Sequence, residues 1–121
     1  MLFRSDGADR RSWHLLGRDE AGSLQAYLRV VDPGVKYAEP SIGRVITSPE
    51  ARGSGLGRRL MAEGLARCGA AWPAHGIRIN AQSHLERFYG SFGFVRHGAE
   101  YMEDGIPHLE MARPAQQETS A

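Results

Sequence analysis

A chain of 121 residues is long enough to bury one hydrophobic core and too short for two, so a single domain over 1–113 and a disordered polar tail, 114–121, are expected. Apolar residues make up 41% of the chain, as in an ordinary globule, and no apolar run is long enough to span a bilayer. The net charge of +1 argues against a nucleic-acid or membrane-surface partner, and the polar amino terminus lacks a signal-peptide core, so a cytoplasmic location is the default.

Residues 13–17 and 24–31 read as two strands, the second placing Leu24, Ala26, Leu28 and Val30 on one face. Asp19 to Ser23 supply the turn of a hairpin. Asp32-Pro33-Gly34 breaks the chain, and a polar loop leads through Pro40 to a third strand over 42–48. Over 56–72, Met61, Leu65, Cys68 and Trp72 recur at helical spacing while Arg59, Glu63 and Arg67 point outward, which predicts an amphipathic helix ending before Pro73. Residues 77–81 alternate as a strand, and Leu85, Phe88, Tyr89 and Phe92 mark one face of a short helix ended by Gly93. Residues 94–101 and 109–113 read as two strands joined through Glu103-Asp104-Gly105-Ile106-Pro107. The lone Cys68 has no disulfide or metal-ligand partner and reads as a small buried hydrophobe; His14, His75, His84 and His97 have no metal-like spacing either, so no metal is expected. The fold class is α/β, with a crossover helix that favours a parallel pairing of the third and fourth strands.

The chemistry concentrates where the third strand runs into Thr47-Ser48-Pro49-Glu50-Ala51-Arg52-Gly53-Ser54-Gly55-Leu56-Gly57-Arg58-Arg59. Glycines at 53, 55 and 57 let backbone N–H groups approach an anion, and the helix start adds unpaired donors and a positive dipole end. A Walker loop would need lysine and Ser or Thr after the last glycine, where Arg58 and Arg59 stand. A dinucleotide fingerprint would need its third glycine at Arg58 and an acidic residue about twenty positions on, near Gly76-Ile77-Arg78. Arg52-x-x-Gly55-x-Gly57 resembles instead the acyl-CoA pyrophosphate loop of the GNAT acetyltransferases. A helix entry loosened by glycine and solubilised by arginine is the plain alternative.

A second motif, from Ala81-Gln82-Ser83-His84 to Phe88-Tyr89 and the Gly93-Phe94 exit, extends the resemblance over nearly the whole chain. Gly43-Arg44-Val45-Ile46, Ala81-Gln82, Phe88-Tyr89 and Glu103-Asp104-Gly105-Ile106-Pro107-His108 are similar to the ElaA-like branch of that superfamily. The resemblance implies a mixed, mostly antiparallel GNAT sheet. It also implies transfer of an acetyl group from acetyl-CoA to a primary amine, on a small molecule or a peptide, with no further cofactor. It places oxyanion donors on the backbone around Val45 and Ile46, which a bulged strand would expose. The donor's phosphates fall to Arg52, Gly53, Ser54, Gly55, Leu56, Gly57 and Arg58, and Gln82 stands where many members carry an orienting asparagine. Tyr89 is the proton donor to the departing thiolate, its competing role being a core tyrosine. For the general base Glu39, Glu100, His108 or an ordered water remain open, with His108 preferred for its titration range; a solvent-facing turn histidine is the other reading of that residue. Members normally carry a further strand and one or two helices before the hairpin, on the order of forty residues within ordinary domain sizes, and this chain is expected to lack them. A bare sheet edge, a homodimer that covers it, and a catalytically weak acyl-CoA-binding or protein-interaction module are the corresponding expectations.

Overall fold

The computed structural model describes residues 2–9, 12–51 and 53–115. Two antiparallel sheets and two helices share one core. The first sheet has the order β1-β2-β3-β4, formed by Leu2–Asp9, Ser12–Arg18, Leu24–Val31 and Ser41–Thr47. The β2–β3 hairpin is as expected, with Asp19 N–H donating to Ser23 C=O at 3.0 Å and the Asp19 carboxylate accepting from Ser23 N–H at 2.9 Å.

β1 is a correction to the sequence reading, which has no strand before residue 13. Its backbone pairs along β2, Leu2 opposite Arg18 and Asp6 opposite His14, so the β2 edge expected to stand bare is covered by the chain's own amino-terminal segment.

α1, Leu56–Ala71, crosses β3 and β4 with Leu56, Leu60, Met61, Gly64 and Cys68 buried. Gly64 sets the distance: a Cβ there would lie 2.9 Å from Leu28 Cδ2 on β3. Leu15, Leu28, Leu60, Met61, Ile79, Leu109 and Met111 are the fully buried centre, each worth about 1.5–3 kcal/mol relative to exposure.

The second sheet pairs β5, Ile77–Gln82, with β8, Ile106–Arg113, Ile77 opposite Arg113 and Gln82 opposite His108. The strand expected over 94–101 is two short pieces, β6 at Val95–Arg96 and β7 at Tyr101–Glu103, both paired with β8. Gly98, at φ +93°, lets the chain leave the ladder between them. α2, Glu86–Gly90, follows a 3₁₀ turn at Ser83–Leu85, and Gly93 at φ +92° turns the chain out as expected.

Candidate functional site

β4 and β5 end their respective sheets side by side. They are joined at their beginnings by Arg78 N–H donating to Pro40 C=O at 3.1 Å and by the Arg78–Glu39 ion pair at 3.2 Å. Beyond that point they belong to separate ladders, which corrects the parallel pairing expected of these two strands: the bulged β4 parts from β5, and its carboxyl-terminal half leaves its β5-facing backbone outside any strand pairing among the described residues. β4 is also bulged: Ile46 pairs with Tyr27 and Gly43 with Arg29, so Arg44 and Val45 together oppose Leu28. Arg44 takes φ +53° to make this turn. Val45 is half-buried and Ile46 is 58% exposed, so both backbone units sit at the mouth where the strands part.

The glycine turn follows directly. Gly53 and Gly55 adopt φ +80° and +83°, the left-handed region, and among the described residues other than their chain neighbours no heavy atom lies within 4 Å of a Cβ built on either. Gly55 caps α1 without any side-chain hydrogen bond, and the first helical bond of this region is Arg59 N–H to Gly55 C=O at 3.2 Å. The N–H groups of Gly55, Leu56, Gly57 and Arg58 are the ones a helix start leaves without an intrahelical partner. Ser54 differs from its expected role, because its N–H donates to Ala51 C=O at 3.2 Å and its hydroxyl to the same oxygen, so it braces the turn from within. Arg58 lies over the Phe92 ring at 5.0 Å, beside α2, whereas Arg59 turns away to the Phe3 ring at 6.0 Å. Arg52, expected on the pyrophosphate, lies outside the described residues.

Across the mouth, β5 ends at Gln82, half-buried, with Ser83 Oγ beside it buried and without a hydrogen-bond partner among the described residues. Tyr89 on α2 is 8% exposed, held edge-on by Phe88 at 5.2 Å and Phe94 at 6.1 Å. Burial pushes its phenol above the ordinary value, and no hydrogen bond to its hydroxyl occurs among the described residues.

Toward the face of the second sheet that carries Arg78, Asn80 and Gln82, away from the buried Ile77, Ile79 and Ala81, the candidate bases separate. Glu39 is committed to Arg78, which also reaches Glu110 at 3.4 Å. Glu100 is exposed. His108 is 8% exposed and so is not a solvent-facing turn residue: its Nδ1 lies 2.8 Å from Ile106 C=O and its Nε2 3.4 Å from Glu103 Oε2. Asn80, Tyr101 and Glu103 surround it, and the sequence alone assigns none of them a role in the site. The alternation of β5 already put Asn80 and Gln82 on one face; the missing signal was the register of β7 on β8, which brings Tyr101 opposite His108. Among the described residues no group of three His, Cys, Asp or Glu is placed to hold a metal ion, and no helix is long and apolar enough to cross a membrane.

Residues 11–114 match the acetyltransferase (GNAT) domain family. The chain belongs to the GNAT acetyltransferase family. Among GNAT relatives it is 43% identical over 111 residues to a UPF0039 protein of Synechocystis, covering 92% of this chain and 72% of that one. Protein ElaA of Escherichia coli is 43% identical over 102 residues, covering 83% of this chain, and the chain spans 65% of ElaA's length. The GNAT fold extends to solved structures: an acyl-CoA N-acyltransferase from Pseudomonas aeruginosa superposes with TM-score 0.79 at 41% identity, over 84% of this chain and 68% of that one. Escherichia coli ElaA superposes with TM-score 0.77 at 40% identity and the same coverage.

Proposed function

We propose that the chain transfers an acetyl group from acetyl-CoA to the primary amine of a small-molecule or peptide acceptor, using the mouth between β4 and β5. The observation that carries this reading is the uncapped, glycine-opened start of α1 standing directly after a bulged strand that has parted from its neighbour. The donor set suits a pyrophosphate: open space over Gly53 and Gly55, consecutive N–H groups of Gly55, Leu56, Gly57 and Arg58, and the Arg58 guanidinium. When bound, acetyl-CoA supplies an acyl group already activated as a thioester.

The roles of the chain's own residues follow. The bulged β4 backbone offers the Val45 N–H toward the carbonyl oxygen on which negative charge develops, with Ile46, whose backbone pairs with Tyr27, beside it at the mouth. Gln82 and the unpartnered Ser83 hydroxyl line the other wall and orient the donor by hydrogen bonds. Tyr89 Oη gives its proton to the leaving sulfur. Its raised value keeps it protonated at neutral pH, and also makes the transfer steeper than the roughly 1.5 units, about 2 kcal/mol, separating an ordinary phenol from an ordinary thiol. His108 Nε2 takes the proton that the acceptor amine must lose.

Thiol release from acetyl-CoA, measured over a panel of primary amines, tests the transfer. Gly55→Val tests the site, because Gly55 sits at φ +83° and a branched side chain there is strained and blocks the approach of a phosphate. Acetyl-CoA affinity, read by calorimetry, should fall at least tenfold in a variant that still melts cooperatively. Unchanged affinity would put the donor elsewhere, and donor binding without thiol release for any amine would favour an acyl-CoA-binding module instead.

A further inference from the structure

His108 has an environment that decides which of its nitrogens is basic. Nδ1 lies 2.8 Å from Ile106 C=O, a group that only accepts, so the neutral tautomer that donates to this closer acceptor carries its hydrogen on Nδ1 and its lone pair on Nε2. Facing Nε2 at 3.4 Å is Glu103 Oε2, which also only accepts. A neutral ring can serve one of these acceptors at a time, whereas a ring protonated on Nε2 serves both.

Glu103 is itself held. Asn80 Nδ2 donates to the same Oε2 at 3.1 Å, and Asn80 Oδ1 accepts from the Tyr101 hydroxyl. That pattern fixes the amide orientation, since a carboxylate requires the NH₂ end. Tyr101 lies with its ring nearly parallel to His108, centroids 6.1 Å apart at 28°. Burial first, then the Glu103 and Glu110 carboxylates, hold the Tyr101 phenol above its ordinary value, so it remains a donor. The strand register places the group beside the end of β5: His108 has Gln82 opposite it on one side and Tyr101 on the other. Arg78 on β5, Glu110 on β8, and Glu39 and Tyr37 from the loop before β4 are the further charged and titratable groups on this face among the described residues.

We propose that Glu103, steadied by Asn80 and Tyr101, is the positioning residue that makes His108 Nε2 the proton acceptor for the amine substrate. The proposal rests on the acetyl-transfer reading above. In the step it describes, an N–H bond of the acceptor ammonium breaks, the electron pair stays on the amine nitrogen as the attacking lone pair, and a new Nε2–H bond forms. The Glu103 carboxylate, 3.4 Å from Nε2, stabilises the positive charge that the ring then carries.

The test is the pH dependence of kcat and KM for acetyl transfer to an active amine in wild type, Glu103→Gln, His108→Gln and the double variant. Glu103 is half-exposed, so Glu103→Gln should fold, and a half-exposed charge at this distance should be worth about a fivefold to tenfold loss in kcat. The acid limb of kcat/KM should move to lower pH, acetyl-CoA affinity should be unchanged, and His108→Gln should lose more, on the order of 10²-fold. Adding Glu103→Gln to His108→Gln should cost nothing further. An active wild type whose pH profile is unmoved by Glu103→Gln, or losses that add in the double variant, would overturn the proposal while leaving the transfer reading intact. A wild type inactive toward every amine would overturn both. Should His108→Gln fail to fold, the profile of Glu103→Gln decides alone.

Discussion

Tyr89 shows how burial sets the terms on which one residue can work. A phenol 8% exposed between Phe88 and Phe94, with its ionised form disfavoured by desolvation, stays protonated well past neutrality. Tyr89→Phe keeps every aromatic edge contact and removes only the proton. Turnover should fall on the order of 10²-fold with acetyl-CoA affinity nearly unchanged, because proton donation acts on the departing sulfur and not on the bound donor. Steady-state kinetics beside calorimetry separate the two, and equal turnover in the two proteins across pH would return Tyr89 to the role of a core residue. Arg58 and Arg59 make a similar point about neighbours in sequence. Adjacent on the first turn of α1, they go to rings on different elements, Phe92 and Phe3, so only Arg58 stays beside the α2 wall of the mouth.

Among the elements, α1 docks on β3 and β4 through one apolar stripe, and Cys68 near its end reports on that docking. Desolvation pushes the Cys68 thiol from 9.0 up to about 12, with Arg113 pulling weakly the other way. A folded-state value raised above the unfolded one contributes stability that is complete below pH ~9 and is lost as pH rises toward ~12, of order 4 kcal/mol at most. Urea midpoints should therefore drop between pH 9 and 11 in wild type, and drop less in Cys68→Ala, whose own cost is a small cavity visible at pH 7. Parallel alkaline curves for the two proteins would mean that α1 undocks before the thiol ionises. α1 and the β2–β3 hairpin were legible because their apolar residues repeat at the period of the element that forms, and the glycine turn because its φ angles suit glycine. β1 was not: residues 2–9 contain Gly7, Asp6 and Asp9 and no sustained alternation, so their strand exists by pairing with β2. The break between β6 and β7 escaped notice for a related reason, since Gly98 inside an apparent strand signals a departure only once its partner strand is known. The β4 bulge could be anticipated as a need of the chemistry, but not its position, because Arg44 is an unusual residue at positive φ. The Asn80–Glu103–His108 group joins residues far apart in the chain, and only the β5–β8–β7 register brings them together.

At the scale of the molecule the fold is two sheets with a shared core and little backbone bonding across their junction, where Arg78 ties Pro40 and Glu39 to β5 and reaches Glu110 on β8. A ligand seated where β4 and β5 part would touch both sheets and add the cross-junction bonds that the strands do not make. Since it binds the folded chain alone, acetyl-CoA should raise stability by mass action, about 2.7 kcal/mol at a hundredfold excess over Kd, a melting shift on the order of 10 °C. The distribution of that gain is the sharper expectation. Hydrogen exchange should slow at the amide of Val45 in the β4 bulge and at those of Gly55, Leu56, Gly57 and Arg58, the groups that lack a strand or helix partner, and change little in the β2–β3 hairpin, whose strands are paired along their length. Desulfo-CoA, which keeps the pyrophosphate and lacks the thioester, should protect the α1 start and leave the Val45 amide exchanging faster than acetyl-CoA does. A melting shift accompanied by uniform protection, or by protection confined to β1 and β2, would place the ligand away from the junction and remove the physical basis for reading the parted strands as a donor site.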